Sequence, residues 1–173
     1  MKIRQATIEQ YNDVVAFYYF VIDSLKNSSY DLGWRKEVYP TSDYLLNSVK
    51  KDEMFIAIDK GKIISAMVMN HDCNDSYREY EWPTLVRDDD VTIIHLLCVH
   101  PELARKGIGR QMVQFAIDTS KRKNQKVIRL DVLKGNYPAE NLYTSMGFRK
   151  LHTLQMFYEN TGWTEFDLFE YIL

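Results

Sequence analysis

The feature that most constrains this chain lies in residues 91–133. Two apolar runs, "VTIIHLLCV" at 91–99 and "KVIRLDVL" at 126–133, flank a segment in which Ile108, Met112, Phe115 and Ala116 recur at helical spacing. A strand, a helix and a second strand in that order close as a right-handed crossover, because a twisted strand feeding a right-handed helix packs back onto its sheet only that way. Residues 91–99 and 127–133 are therefore expected side by side and parallel, with Ile128, Leu130 and Val132 on one face of the second strand.

The rest of the pattern favours antiparallel neighbours. "MFIAID" and "KIISAMVMN" are joined through "DKGK", where Gly61 supplies a turn conformation of positive φ, so they read as a hairpin. "MKIRQA" reads as a first strand, and Thr7 with Gln10 forms a capping-box pattern for a helix running to about Asn27. A second helix starts at "TSDYLLNSVKK", with Thr41 or Ser42 as cap and Pro40 stopping what precedes it. "PAENLYTSMGF" carries Pro138 near the start and Gly147 just past the end of a short helix. Strands around "HTLQMFY" and "FDLFEYIL" finish the chain, and the last of these either closes the sheet or lies at a dimer edge. The expected architecture is an α/β chain: a central, mostly antiparallel twisted sheet with one parallel pair, flanked by helices.

At 173 residues, 1–173 is expected to be a single domain. Twenty-two basic against 24 acidic residues leave no global field for nucleic acid, so any anion site must be local. Two cysteines, Cys73 and Cys98, are too few for a disulfide framework. The longest apolar run, "VVAFYYFVI" at 14–22, is too short to span a bilayer, and Glu9 and Asp13 are foreign to a signal peptide. A cytoplasmic protein that binds no membrane is the expectation, monomeric or homodimeric. Residues 72–90 hold seven acids against two bases and lack periodicity, which suggests an exposed connection.

Between the parallel strands stands "HPELARKGIGRQM", residues 100–112. Gly107 and Gly109 meet the start of the helix, and Arg105, Lys106 and Arg110 crowd around them. A helix N-terminus exposes unpaired N–H groups and partial positive charge, so this is a candidate anion site. It is neither a Walker loop, having no GK[ST], nor a dinucleotide fingerprint, since Met112 stands where a third glycine would be. The segment alone leaves a capped turn equally open.

A second segment decides between them. In "NYPAENLYTSMGF", Asn136, Ala139, Leu142, Tyr143, Gly147 and Phe148 match an NxxAxxLYxxxGF pattern. Together the two segments, and the order of elements over nearly the whole chain, resemble the GCN5-related N-acetyltransferase superfamily, whose (Q/R)xxGx(G/A) loop holds the pyrophosphate of acetyl-CoA. The resemblance implies that amides near Arg105, Lys106, Gly107, Ile108, Gly109 and Arg110 cradle that pyrophosphate. It also implies that the cofactor arm wedges between the two parallel strands against Leu97, Cys98 and Val99, with Asn136, Ala139 and Tyr143 beside it. One departure stands out: Ala104 occupies the Gln/Arg position.

The implied reaction moves acetyl from acetyl-CoA to a primary amine of a small molecule or peptide, by direct attack in a ternary complex. An alkyl ammonium, with pKa roughly 10, must first lose a proton. The resemblance makes Tyr143 the general acid for the leaving thiolate and the Val99 N–H the oxyanion donor. His95, suited to proton transfer near neutrality, is a candidate base; Glu81 or water are the alternatives. Alternation along the strand sets His95, Leu97 and Val99 on one face and Cys98 and His100 on the other, which argues against "HLLCVH" as a metal site and against any metal requirement. Trp34, Tyr39, Tyr80 and Trp82 are candidates for an aromatic acceptor pocket. Two rival readings remain: a CoA-binding sensor or partner module without turnover, suggested by Ala104, and a nucleotide-phosphate-binding protein.

Overall fold

A computed structural model describes residues 1–173. Seven strands form one sheet in the order β1-β2-β3-β4-β5-β7-β6: β1 Lys2–Gln5, β2 Met54–Asp59, β3 Lys62–Asn70, β4 Val91–Val99, β5 Val127–Leu133, β6 Arg149–Tyr158 and β7 Gly162–Ile172. β4 and β5 are parallel and every other pair is antiparallel. The expected architecture is thus the observed one. β7 lies between β5 and β6, so the last strand closes the sheet and is not a dimer edge; β6 takes the edge.

Helices cover both faces. α1 (Tyr11–Leu25) buries Val14, Phe17, Tyr18, Val21 and Ile22, the spacing of one helical face. Gln10 Oε1 accepts from the Thr7 N–H at 3.3 Å, the return half of the capping box read in the sequence. α2 (Ser42–Lys50) is capped by Thr41, whose Oγ1 accepts from the Tyr44 N–H at 3.0 Å; Ser42 is already inside the helix. α1 and α2 lie over Met54, Ile56, Ala66, Val68, Leu96 and Cys98. On the opposite face, α4 (Ile108–Arg122) and α5 (Tyr137–Ser145) pack on Met67, Met69, Ile94, Ile128, Leu130 and Val132. The fully buried aliphatic side chains contribute roughly 1.5–3 kcal/mol each.

The 72–90 connection departs from the expectation of an exposed loop. It contains a single turn, α3 (Ser76–Glu79), and buries Tyr77 and Trp82 in a third cluster with Val91, Val127, Met156 and Leu168. Arg129 on β5 anchors it. The guanidinium lies over the Trp82 ring at 4.1 Å, donates from Nη2 to the Thr84 carbonyl at 2.6 Å, and pairs through Nε with Glu170 at 2.9 Å. Both charges are buried, and a buried pair tolerates loss of neither partner.

The decisive irregularity is in β4. Ala66 pairs with Cys98 but Val68 pairs with His95, so Leu96 and Leu97 together face Met67. Leu96 takes φ 55°, a left-handed conformation that costs a side-chain-bearing residue about 1–2 kcal/mol. The Tyr18 hydroxyl, at 3.1 Å from the Leu96 carbonyl, holds this bulge from α1.

Candidate active site

Parallel pairing of β4 with β5 stops early. Val91, Thr92 and Ile93 pair with Val127, Ile128 and Arg129, and beyond them the strands part. The gap is a cleft of about 100 Å³ whose walls include Ile94–Leu97 from β4, Asp131–Leu133 from β5, and Asn136, Ala139 and Tyr143 from α5. Trp34 and Tyr39 close one end together with Tyr158, Asn160 and Phe166. Backbone groups line β4 there. The His100 N–H donates to Ile64 on β3, so strand alternation turns the N–H groups of Val99 and Leu97 the other way, towards the gap.

One mouth of the gap adjoins the start of α4. Gly107 takes φ 78° at the cap, and Arg105 is also left-handed at 62°. The Gln111 N–H makes the first intrahelical bond, to the Gly107 carbonyl, so the amides of Ile108, Gly109 and Arg110 have no partner within the helix. No acid stands in this first turn, and Arg105, Lys106 and Arg110 are exposed around it. Nothing offsets the positive end of the helix, which suits a polyanion such as a pyrophosphate. Gly109 has a packing reason as well: a Cβ there would meet Leu142 at 3.1 Å, so its absence lets α5 approach. Arg110 reaches across to the Ser145 hydroxyl at 2.7 Å. Ala104 is exposed and offers only its backbone.

Tyr143 lines the cleft with 5% of its surface exposed, and burial, aided by the charge of Asp131, pushes its phenol well above 10. It therefore stays protonated at any working pH, as an acid must before it acts. Asn136 caps α5 by accepting from the Ala139 N–H at 3.3 Å.

The bulge overturns the expected facing of the β4 side chains. His95 sits opposite Val68, so it shares the α1/α2 face with Cys98 and is turned away from Leu97 and Val99. The alternation argument against a metal therefore fails on its premise, although no three His, Cys, Asp or Glu side chains gather as a ligand set. His95 does reach the cleft. Its Nε2 lies 2.9 Å from both Asn70 Oδ1 and the Asp72 carbonyl, an arrangement that makes this nitrogen the donor, and burial pulls the imidazole down to about 4. Cys98 is corrected more fully. Its carbonyl accepts from Ser65 Oγ at 2.6 Å and its thiol, raised by burial, packs beneath α1 and α2, so it presents nothing to a cofactor.

Glu81, Tyr80 and Trp82 lie outside the cleft. They line a separate groove of about 760 Å³ under the 72–90 connection, with Trp82 held by Arg129 and by its own Nε1–H to the Tyr77 carbonyl at 2.8 Å. Tyr80 stacks on His152. Of the four expected pocket aromatics, only Trp34 and Tyr39 belong.

In their place the fold brings a group the sequence reading passed over. Asp131, half-buried in the cleft wall, accepts hydrogen bonds on Oδ2 from Tyr77 at 2.8 Å and from Tyr158 at 3.0 Å, leaving Oδ1 unengaged. Burial raises its carboxyl above the usual range, and the two tyrosine hydroxyls work against that rise. A signal was present in "VIRLDVL", where an acid interrupts a buried strand. Tyr158 and Asn160 carried none.

The acetyltransferase (GNAT) family model matches residues 19–148, which span both the α4 cap and the α5 segment. This chain belongs to that family. As a GNAT member the domain is an acetyl-CoA-dependent N-acetyltransferase. An Archaeoglobus fulgidus protein named "Uncharacterized N-acetyltransferase" is 27% identical over 150 residues, 87% of this chain and 94% of that one. The Bacillus subtilis UPF0157 protein YqkA is 42% identical over 59 residues, 34% of this chain, and the match spans only 17% of that longer protein. The fold is shared with PaiA N-acetyltransferase from Thermoplasma acidophilum, solved in complex with coenzyme A, at a TM-score of 0.74 and 17% identity over 99% of this chain and 98% of that one. No helix is long and apolar enough to cross a membrane.

Proposed function

We propose that this GNAT domain acetylates a primary amine by direct attack within a ternary complex, with Tyr143 as general acid and Asp131 as the proton acceptor. The observation that carries the reading is the meeting of these two side chains in one cleft, at the point where β4 and β5 part. The pyrophosphate of acetyl-CoA lies against the amides of Ile108, Gly109 and Arg110, with Arg105 and Lys106 adding charge. The acetyl-bearing arm follows the N–H groups of Val99 and Leu97 into the gap.

The acceptor enters from the Trp34 and Tyr39 end as an ammonium. Asp131 attracts it and takes one proton, a transfer helped by a carboxyl pKa raised towards that of the amine. The nitrogen lone pair attacks the thioester carbon, the carbonyl oxygen gains charge against the Val99 N–H, and the C–S bond breaks. The departing sulfur receives the Tyr143 proton, the second proton on the new amide nitrogen passes back to the Tyr143 oxygen, and Asp131 gives its own proton up to solvent. His95 is the weaker choice as base: an imidazole drawn to about 4, with Nε2 committed to Asn70 and Asp72, holds a proton poorly at neutral pH. Glu81 does not line the cleft. Small amines and the amino groups of peptides both suit this chemistry.

A panel of primary amines with acetyl-CoA, read by released CoA thiol, tests the reading. Release with at least one amine is expected; none with any acceptor would leave a CoA-binding sensor module as the better account. Calorimetry with CoA against ATP separates the nucleotide-phosphate reading, which ATP preference would favour.

A further inference from the structure

Asp131 is the one acid among the residues that line the cleft, and no lysine or arginine lines it. Ile128, Leu130 and Val132 turn towards α4 and α5, so Arg129 and Asp131 are successive side chains on the other face of β5, beneath the 72–90 connection. Arg129 is no counterion for Asp131, because it is committed to Glu170 at 2.9 Å and to the Thr84 carbonyl at 2.6 Å. A carboxylate drawn out of water without a cation reverts to the neutral acid unless hydrogen bonds hold its charge, and a neutral acid takes no proton.

Two hydroxyls supply those hydrogen bonds. Tyr77 comes from α3 and Tyr158 from the end of β6, and both donate to the same oxygen, Oδ2, at 2.8 and 3.0 Å. Packing fixes each ring: Tyr77 is buried against Trp82 at 5.2 Å and Tyr158 lies against Phe166 at 4.9 Å. Trp82 is clamped in turn by Arg129 at 4.1 Å, so one side chain of β5 secures the connection and the next receives its hydroxyl. With both donors on Oδ2, Oδ1 is the oxygen left to accept.

We propose that Tyr77 and Tyr158 are positioning residues of the reaction, their hydroxyls holding the Asp131 carboxylate charged and in the orientation from which it takes the acceptor's proton. The inference rests on the amine-acetylation reading above and makes the 72–90 connection part of its machinery. Neither tyrosine gives up a proton. The transferred proton leaves the ammonium nitrogen, which keeps the bonding electron pair, and goes to Asp131. Between about pH 5 and 8 the neighbours of this carboxyl hold their charge states. Burial keeps the phenols of Tyr77, Tyr158, Tyr39 and Tyr143 above 10 and raises the Cys73 thiol beside Tyr77, while His95 is drawn down to about 4. Arg129 and Glu170 offset each other.

Two titrations test this on the wild type, Tyr77→Phe and Tyr158→Phe. One follows the carbon-13 resonance of the Asp131 carboxyl, assigned by its loss in Asp131→Asn; the other follows kcat at saturating amine, with the acceptor that releases CoA fastest in the panel above. Each substitution keeps the ring and removes one donor to the charged form. The carboxyl titration and the low-pH limb of kcat are therefore expected to move up together by about one pH unit, with the plateau above the limb changing less than about tenfold. Hydroxyls that only pack would leave both titrations in place while kcat fell equally at every pH, which would overturn the proposal. A carboxyl that moved while the kcat limb stayed would refute Asp131 as proton acceptor, and the proposal with it. Release with no amine would refute the acetylation reading itself, an outcome kept distinct because the carboxyl titration needs no acceptor.

Discussion

Replacing Tyr143 by Phe isolates the acid step. The Tyr143 ring packs against Phe148 at 5.3 Å and Phe169 at 6.2 Å, contacts that a phenylalanine ring retains. Its hydroxyl makes no hydrogen bond within the protein, so removing it breaks none, and stability should change by less than about 1 kcal/mol. Chemistry is affected differently. Without a positioned acid the thiolate must leave unprotonated, which on the usual scale of general acid catalysis slows turnover at least about a hundredfold, or about 2.7 kcal/mol in the barrier. Burial holds the phenol well above 10, so in the wild type turnover should not decline through tyrosine ionisation below about pH 10. The assay is steady-state CoA release, with calorimetric acetyl-CoA affinity and a urea midpoint measured on the same protein. A Tyr143→Phe variant with unaltered kcat would refute the assignment. A variant that lost stability in proportion to activity would show that the hydroxyl matters for folding.

Two further outcomes follow from the buried titratable groups. Asp131→Asn should abolish most turnover yet raise the urea midpoint at neutral pH: a carboxyl whose folded pKa lies above its unfolded value binds protons more tightly when folded, so its ionisation destabilises the native state as pH rises. The groups around it are Tyr77 and Tyr158 as donors, Tyr39 and Tyr143 nearby, and Arg129 on the same strand, whose charge is taken by Glu170. A midpoint that falls would show that those hydroxyls need the charge. His95 predicts the opposite slope. Its pKa is depressed from 6.5 to about 4, so the stability it supplies is complete above pH 6.5 and drains away as pH falls towards 4; urea midpoints across that interval should flatten in His95→Gln, and an unaltered slope would place the acid sensitivity elsewhere.

Most of the scaffold was legible because it is written in local patterns. The crossover from 91–99 to 127–133, the hairpin at Gly61, the Thr7 and Thr41 starts and the face made by Ile128, Leu130 and Val132 depend on spacing and turn chemistry within a few residues. The α4 cap with its cations was legible for the same reason. What misled was strict alternation in β4, since a leucine at positive φ gives no signal in a sequence where glycine would have given one. The acids of 72–90 likewise hid Tyr77 and Trp82, whose burial depends on Arg129 some fifty residues away.

The sequence by itself determined the order of elements, the parallel pair and the open, cation-rimmed start of α4, since hydrophobic period and the residues at helix ends act over short range. Tertiary structure decided which side chains meet in the cleft. Tyr18 on α1 holds the bulge that turns His95 away from Leu97, and the return of β7 beside β5 brings Tyr158 and Asn160 over Asp131. Those meetings join residues far apart in the chain, and their energy comes from desolvated hydrogen bonds that exist only once the sheet has closed.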